Sequence, residues 1–238
     1  MKRMLTIMAG MMMGTPISLA GEAVAVSTAS NGGRASSTAV AQGNSRSTAI
    51  SGAVNGGEAI ADSRARGFGR GFADSRAVAV ADCGLAISNS NADAFGRYGG
   101  TAFADSESIA STIGGRAISN SDARADGLFN GHATSRSYST ALSEFGFANS
   151  DSRAVSSGRF GGHATSISDS FSNTRFGRAD SHIRVESGAS FQATARSDGR
   201  GVSISAPLRT ARVRVQAVSR STRHGRASSK STVIRVRR

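Results

Sequence analysis

The chain has 238 residues with 29 Gly, 2 Pro, no Trp, 11 Phe and 2 Tyr, a net charge of +13 and one cysteine. This composition excludes a core built from large side chains, and a single thiol excludes both an internal disulfide and a metal site of the Cys/His type. What remains is either disorder, the usual state of Gly/Ser-rich chains that bury too little apolar surface, or a repeat architecture, which regular spacing would reveal.

The first 20 residues read as a secretory signal peptide. Lys2 and Arg3 precede an apolar run from Met4 to Met13, a Gly14-Thr15-Pro16 break follows, and Ser18-Leu19-Ala20 supplies small residues ahead of Gly21. The run is too short to span a bilayer. The expected division is a signal peptide at 1–20, a repeat domain at 21–201 and a basic, β-rich C-terminal segment at 202–238. A secreted product, extracellular or at the cell surface, follows, with no integral membrane span.

Glycine sets the register of the repeat. Gly43, Gly57, Gly71 and Gly84 lie 14, 14 and 13 residues apart. From Gly84 onward the period lengthens, with Gly115, Gly146 and Gly177 each 31 residues further on. Two more series, Gly100, Gly131, Gly162 and Gly96, Gly127, Gly158, keep the same spacing. Each unit therefore holds two unequal halves of about 16 and 15 residues, too regular for disorder.

Within each half, one parity is almost entirely Ala and Ser, as in Ala117, Ser119, Ser121, Ala123 and Ala125. The other parity mixes Arg116, Ile118, Asn120, Asp122 and Arg124. A period of two is the signature of a β-strand with opposite faces. Charged side chains resist burial without partners, so the Ala/Ser face must be the inner one. The expected fold is an all-β, flat two-sheet β-solenoid with coils of about 31 residues and an Ala/Ser interior. Turns "FGRYGG", "DGLFNG" and "SGRFGG" would close one side, aligning Tyr98, Phe129 and Phe160; "STIGG", "SEFG" and "TRFG" would close the other, aligning Phe145 and Phe176.

Two families share this style. "GNSRSTAISGAVNGGEAIADSRARG" resembles the head repeats of trimeric autotransporter adhesins, although the stalk and membrane anchor of that family are not visible. The strand–turn–strand units and the ending "KSTVIRVRR" are similar to curli-type amyloid fibre subunits, although the Gln/Asn ladders of those repeats are absent. Both resemblances imply a bacterial surface protein that assembles or adheres.

Sites for chemistry are sparse. His132 and His163 are one period apart and should stack as a surface ladder. "ADS" recurs at 61–63, 73–75, 104–106 and 179–181, giving outward aspartates without the nonapeptide of calcium-binding β-rolls. "GFGRGF" at 67–72 lacks the Lys-Ser/Thr of a phosphate loop, and no serine sits in a nucleophile elbow. No catalytic residue, metal ligand or cofactor is expected, and the protein is not read as an enzyme. An ice-binding surface would need a regular uncharged outer face, which Arg, Asp, Glu and Phe interrupt.

The charge is concentrated at the C-terminus, where residues 202–238 carry ten basic side chains and no acidic one. Arg209, Arg212, Arg214, Arg220, Arg223, Arg226, Lys230, Arg235, Arg237 and Arg238 form the candidate set for an anionic partner, an acidic polysaccharide or outer-membrane surface rather than nucleic acid. The alternative role for this segment is a charged cap on the stack. The expected function is a self-associating structural subunit of a surface fibre, matrix or adhesin. Its competitor is a monomeric module that recognises a glycan or another anionic surface.

Overall fold

The computed structural model describes residues 22–43, 45–69, 71–96, 101–128, 132–160, 163–190, 194–205, 210–222 and 226–237. The expected signal peptide at 1–20 and the expected alignment of Tyr98 and Phe129, with Gly100, Gly131 and Gly162, lie outside them. Every regular element is a strand: β1 (Glu22–Ala29), β2 (Arg34–Gln42), β3 (Ser45–Ala53), β4 (Glu58–Gly69), β5 (Phe72–Ala81) and β6 (Leu85–Gly96). Then come β7 (Thr101–Gly127), β8 (His132–Arg159), β9 (His163–Ser190), β10 (Thr194–Ser205), β11 (Ala211–Thr222) and β12 (Arg226–Arg237). No helix among the described residues is long and apolar enough to cross a membrane.

All pairings are parallel and in register, which makes the chain a β-solenoid. Face A stacks β1, β3, β5, the first halves of β7, β8 and β9, then β10 and β12. Face B stacks β2, β4, β6, the second halves of β7, β8 and β9, then β11. The 31-residue period holds where it was expected, with Thr101 beside His132 and His132 beside His163. The coil is smaller at the start, where Glu22 pairs with Arg46, and slightly larger at the end, where Thr194 pairs with Arg226. β10 runs across the 201–202 boundary, and β11 and β12 continue the same stack.

The interior is the Ala/Ser parity, as expected. Ala117, Ser119, Ala123, Ser166 and Ser168 are fully shielded from solvent. The two sheets lie so close that a hydroxyl on one reaches the backbone of the other. Ser121 Oγ donates to the Ser106 carbonyl at 2.6 Å, Ser137 to Ser121 at 2.7 Å, and Ser152 to Ser137 at 2.7 Å. A second spiral runs from Ser108 to Ser88 (2.6 Å), Ser119 to Ser108 (2.7 Å), Ser139 to Ser119 (2.6 Å) and Ser150 to Ser139 (3.1 Å). The hydroxyls of these two spirals are thus satisfied by the opposite wall, and a larger side chain would separate donor from acceptor.

The corner between the faces is a glycine column. Arg116 N donates to Gly84 O at 3.0 Å and Leu85 N to Gly57 O at 3.3 Å, continuing the ladder around the bend. A Cβ on Gly84, Gly115, Gly146 or Gly177 would collide with the carbonyl of the glycine one coil below. Gly115 and Gly146 also hold φ values of 130° and 136°, in the region that favours glycine. Phe145 and Phe176 stack just outside this corner with centroids 5.1 Å apart, as the alignment of their turns implied.

The last coils depart from the Ala/Ser rule. Ile183 and Val185 are fully buried and pack with Ala154, Val215 and Ala217. Gly199 and Gly201 face them: a Cβ on Gly201 would run into Val213, and one on Gly199 would press on Val185 and Val215 at 3.0 Å each. Branched side chains from one sheet thus fill the room that glycines leave on the other, keeping the interior thin.

Candidate functional site

The outer parity of face B forms a trough of about 680 Å³ running across the coils. Its floor is a column of short polar side chains on successive strands: Thr38, Asp62, Asn89, Asn120, Asp151 and His182. Beside it runs Val40, Arg64, Asn91, Asp122, Arg153 and Arg184. Parallel register puts the members of each column about 4.8 Å apart along the stack.

The floor is pre-oriented by its own hydrogen bonds. Asn89 Nδ2 donates to Asp62 Oδ1 at 2.6 Å, Asn120 Nδ2 donates to Asn89 Oδ1 at 2.9 Å, and His182 Nδ1 lies 3.3 Å from Asp151 Oδ1. Each amide uses one N–H in this ladder and keeps another. Burial pushes the Asp122 carboxyl above the usual range, overriding the adjacent Arg153 guanidinium, with Asp93 and Asp151 adding to the rise and Arg124 opposing it. The serines lining the trough point inward: Ser63, Ser90 and Ser121 donate to the carbonyls of Ser47, Ser75 and Ser106. None presents its hydroxyl to the trough as a nucleophile.

The basic residues of the C-terminal segment do not share one surface. Arg212 and Arg214 project from face B beside Asp180 and His182, so Arg214 extends the floor of the trough by one strand. Arg220 is exposed further along β11. Arg226 and Lys230 belong to the outer parity of face A, beside Thr194 and Asp198. Arg235 falls on the inner parity, aligned with Ser203, and its Nη2 donates to the Val213 carbonyl at 3.2 Å. It therefore covers the end of the stack as a cap would. Arg237 aligns with Ser205; Arg209, Arg223 and Arg238 lie outside the described residues.

Other sequence expectations sort the same way. His132 and His163 stack at 4.9 Å, and no group of three metal-ligating side chains occurs among the described residues. The "ADS" aspartates do not form one column: Asp74 and Asp105 are neighbours on face A, whereas Asp62 and Asp180 occupy different columns of face B. Cys83 is exposed, and the hydrogen bond and charge of Asp82 raise its pKa, making it a poor nucleophile. The trough was not anticipated, although Asp62, Asn89, Asn120 and Asp151 follow one another at coil spacing on the outer parity. Compared with known proteins, the chain matches no family model, and no curated protein or solved structure shows significant similarity to it.

Proposed function

We propose that the protein is an extracellular structural component of a surface matrix or adhesin whose solenoid displays the face B trough to an extended glycan. The observation that carries this reading is the trough's direction: it crosses six strands and repeats similar hydrogen-bonding groups at about one strand spacing. Its three aspartates, Asp62, Asp122 and Asp151, balance Arg64, Arg153 and Arg184. An uncharged polyhydroxyl chain fits that balance better than a polyanion. The signal-peptide pattern of the N-terminal sequence, Lys2-Arg3 followed by the apolar run Met4 to Met13, supports the extracellular setting.

Affinity electrophoresis of the exported chain tests this reading. Gels containing hydroxyethyl cellulose or another soluble, linear, neutral polysaccharide should retard the protein. Asn120→Ala and Arg153→Ala should each weaken retention about tenfold, as expected for the loss of one or two strong hydrogen bonds. Retention by polygalacturonate alone, abolished by Arg226→Ala with Lys230→Ala on face A, would transfer binding to the basic segment and overturn the reading.

A second reading, growth of a fibre by coil-on-coil stacking, is favoured by the terminal strands. Among the described residues β1 pairs only with β3 and β12 only with β10, leaving an outer backbone edge on each. Their lengths differ, 8 residues against 12, so pairing between opposite ends would cover β1 alone. Negative-stain microscopy should then show filaments one solenoid wide. A persistently short particle at high concentration contradicts it.

A further inference from the structure

Face A carries a stripe that a soluble surface has no use for. Its outer column reads Val26, Ile50, Val78 and Ile109 on the first four stacked strands, then Thr140, Phe171, Val202 and Ile234 on the last four. Val26 is 65% exposed and Ile50 40%. Val80, Leu142, Ile204 and Val236 widen the stripe in the next column. An apolar column of this length, broken only at Thr140, marks an interaction surface.

The charged columns beside the stripe identify the partner. In stacking order, one reads Glu22, Arg46, Asp74, Asp105, Arg136, Ile167, Asp198, Lys230. The other contains Arg76, Glu107, Tyr138, Asp169 and Arg200 on the third to seventh strands. Place a second copy face to face, related by a twofold axis parallel to the strands and passing between β7 and β8. Each column then meets itself in reversed order, the first strand opposite the eighth.

Under that operation Glu22 meets Lys230, Arg46 meets Asp198, Asp105 meets Arg136 and Arg76 meets Asp169, each twice by symmetry. Glu107 meets the Tyr138 hydroxyl, and no like charges oppose one another in either column. The stripe meets itself as Val26 on Ile234, Ile50 on Val202 and Val78 on Phe171.

Shifting the copies by one strand destroys the match. Moving the axis onto β7 sets Glu22 against Asp198, and Asp105 and Glu107 each against their own copies. Moving it onto β8 sets Arg46 against Lys230, Asp74 against Asp198 and Arg76 against Arg200. Charges that attract in one register and repel in both adjacent ones specify the partner and its alignment together.

We infer that face A is a self-complementary interface through which two copies form an antiparallel, face-to-face dimer. The trough on face B stays open on each copy, so the dimer presents two troughs facing away from each other. This inference does not depend on the trough's ligand.

Sedimentation velocity of the exported chain, with thermal unfolding of every variant, tests it. Wild type should sediment at twice the chain mass at micromolar concentration. Phe171→Lys should give a folded monomer. Arg46→Asp should weaken dimerisation by about tenfold or more, because two facing pairs become repulsive. Asp198→Arg added to Arg46→Asp restores opposite charge across the interface and should recover most of the loss. A folded monomeric wild type, or a double variant no tighter than Arg46→Asp, would overturn the inference. So would an open-ended series of larger species that ignores both substitutions.

Discussion

Ser152 Oγ lies 2.7 Å from the carbonyl oxygen of Ser137 and 3.0 Å from its hydroxyl, although the two residues stand on opposite sheets. An interior thin enough for this contact gains little from large apolar surfaces and relies on satisfied polar groups. Ser152→Ala should cost about 1 kcal/mol, the net value of a typical buried hydrogen bond. Ser166→Leu must push the sheets apart and break the bond from Ser166 to the Glu186 carbonyl. It should cost about 3 kcal/mol or more, the upper range of overpacking. Urea unfolding midpoints check both, and equal losses would mean that the wall separation is not the constraint.

The glycine column gives a contrast within one residue type. Gly146→Ala places a methyl against the Gly115 carbonyl at a φ of 136° and should cost about 3 kcal/mol, combining backbone strain with overpacking. A Cβ on Gly188 meets nothing within 4 Å, so Gly188→Ala should be neutral or stabilising by up to about 1 kcal/mol. Thermal melting of the pair decides, and similar losses at both sites would contradict the column.

Size matching near the end of the stack predicts a rescue. Gly201→Ala directs its methyl at Val213, and Val213→Ala removes the obstruction. Each single change should destabilise, whereas the double variant should be more stable than the sum by about 1–2 kcal/mol, in the usual range for residues in contact. Strict additivity in a double-mutant cycle would show that the two do not compete for the same space.

Asp122 supplies a pH signature. Its carboxyl is raised mainly by burial, so the folded state binds that proton more tightly than the unfolded chain. Its contribution therefore favours folding below the unfolded value of about 3.9 and is lost as pH rises through the raised folded value. Asp122→Asn should stabilise the protein at neutral pH and make little difference near about pH 3, where wild type is already protonated. Stability curves against pH that stay parallel would contradict this assignment.

Much of the architecture was legible because a solenoid repeats its constraints. The 31-residue spacing of Gly84, Gly115 and Gly146, the Ala/Ser parity and the stacking of Phe145 on Phe176 all follow from a local rule applied coil after coil. What escaped were relationships between columns. The partnership of Gly199 and Gly201 with Ile183 and Val185 depends on which segments oppose each other across the interior, which periodicity alone does not give. In sequence Arg235 belongs to the candidate set for an anionic partner, yet β12 aligns it with buried Ser203 and turns it toward the end of the stack. The trough and the self-complementary charges of face A emerge only when outer residues are read across strands, because along each strand they look irregular.

The parallel register underlies every one of these arguments, and cysteine cross-linking measures it most directly. In a Cys83→Ser background, Thr134→Cys with Thr165→Cys places two thiols on the same face of adjacent paired strands. Their Cα atoms lie about 4.8 Å apart, within the range a disulfide can bridge. Mild oxidation followed by peptide mass spectrometry should find that intramolecular bond nearly complete. Thr134→Cys with Ser166→Cys, whose second thiol points into the interior, should give little. Equal yields from the two pairs, or cross-linking of the second alone, would contradict the solenoid register.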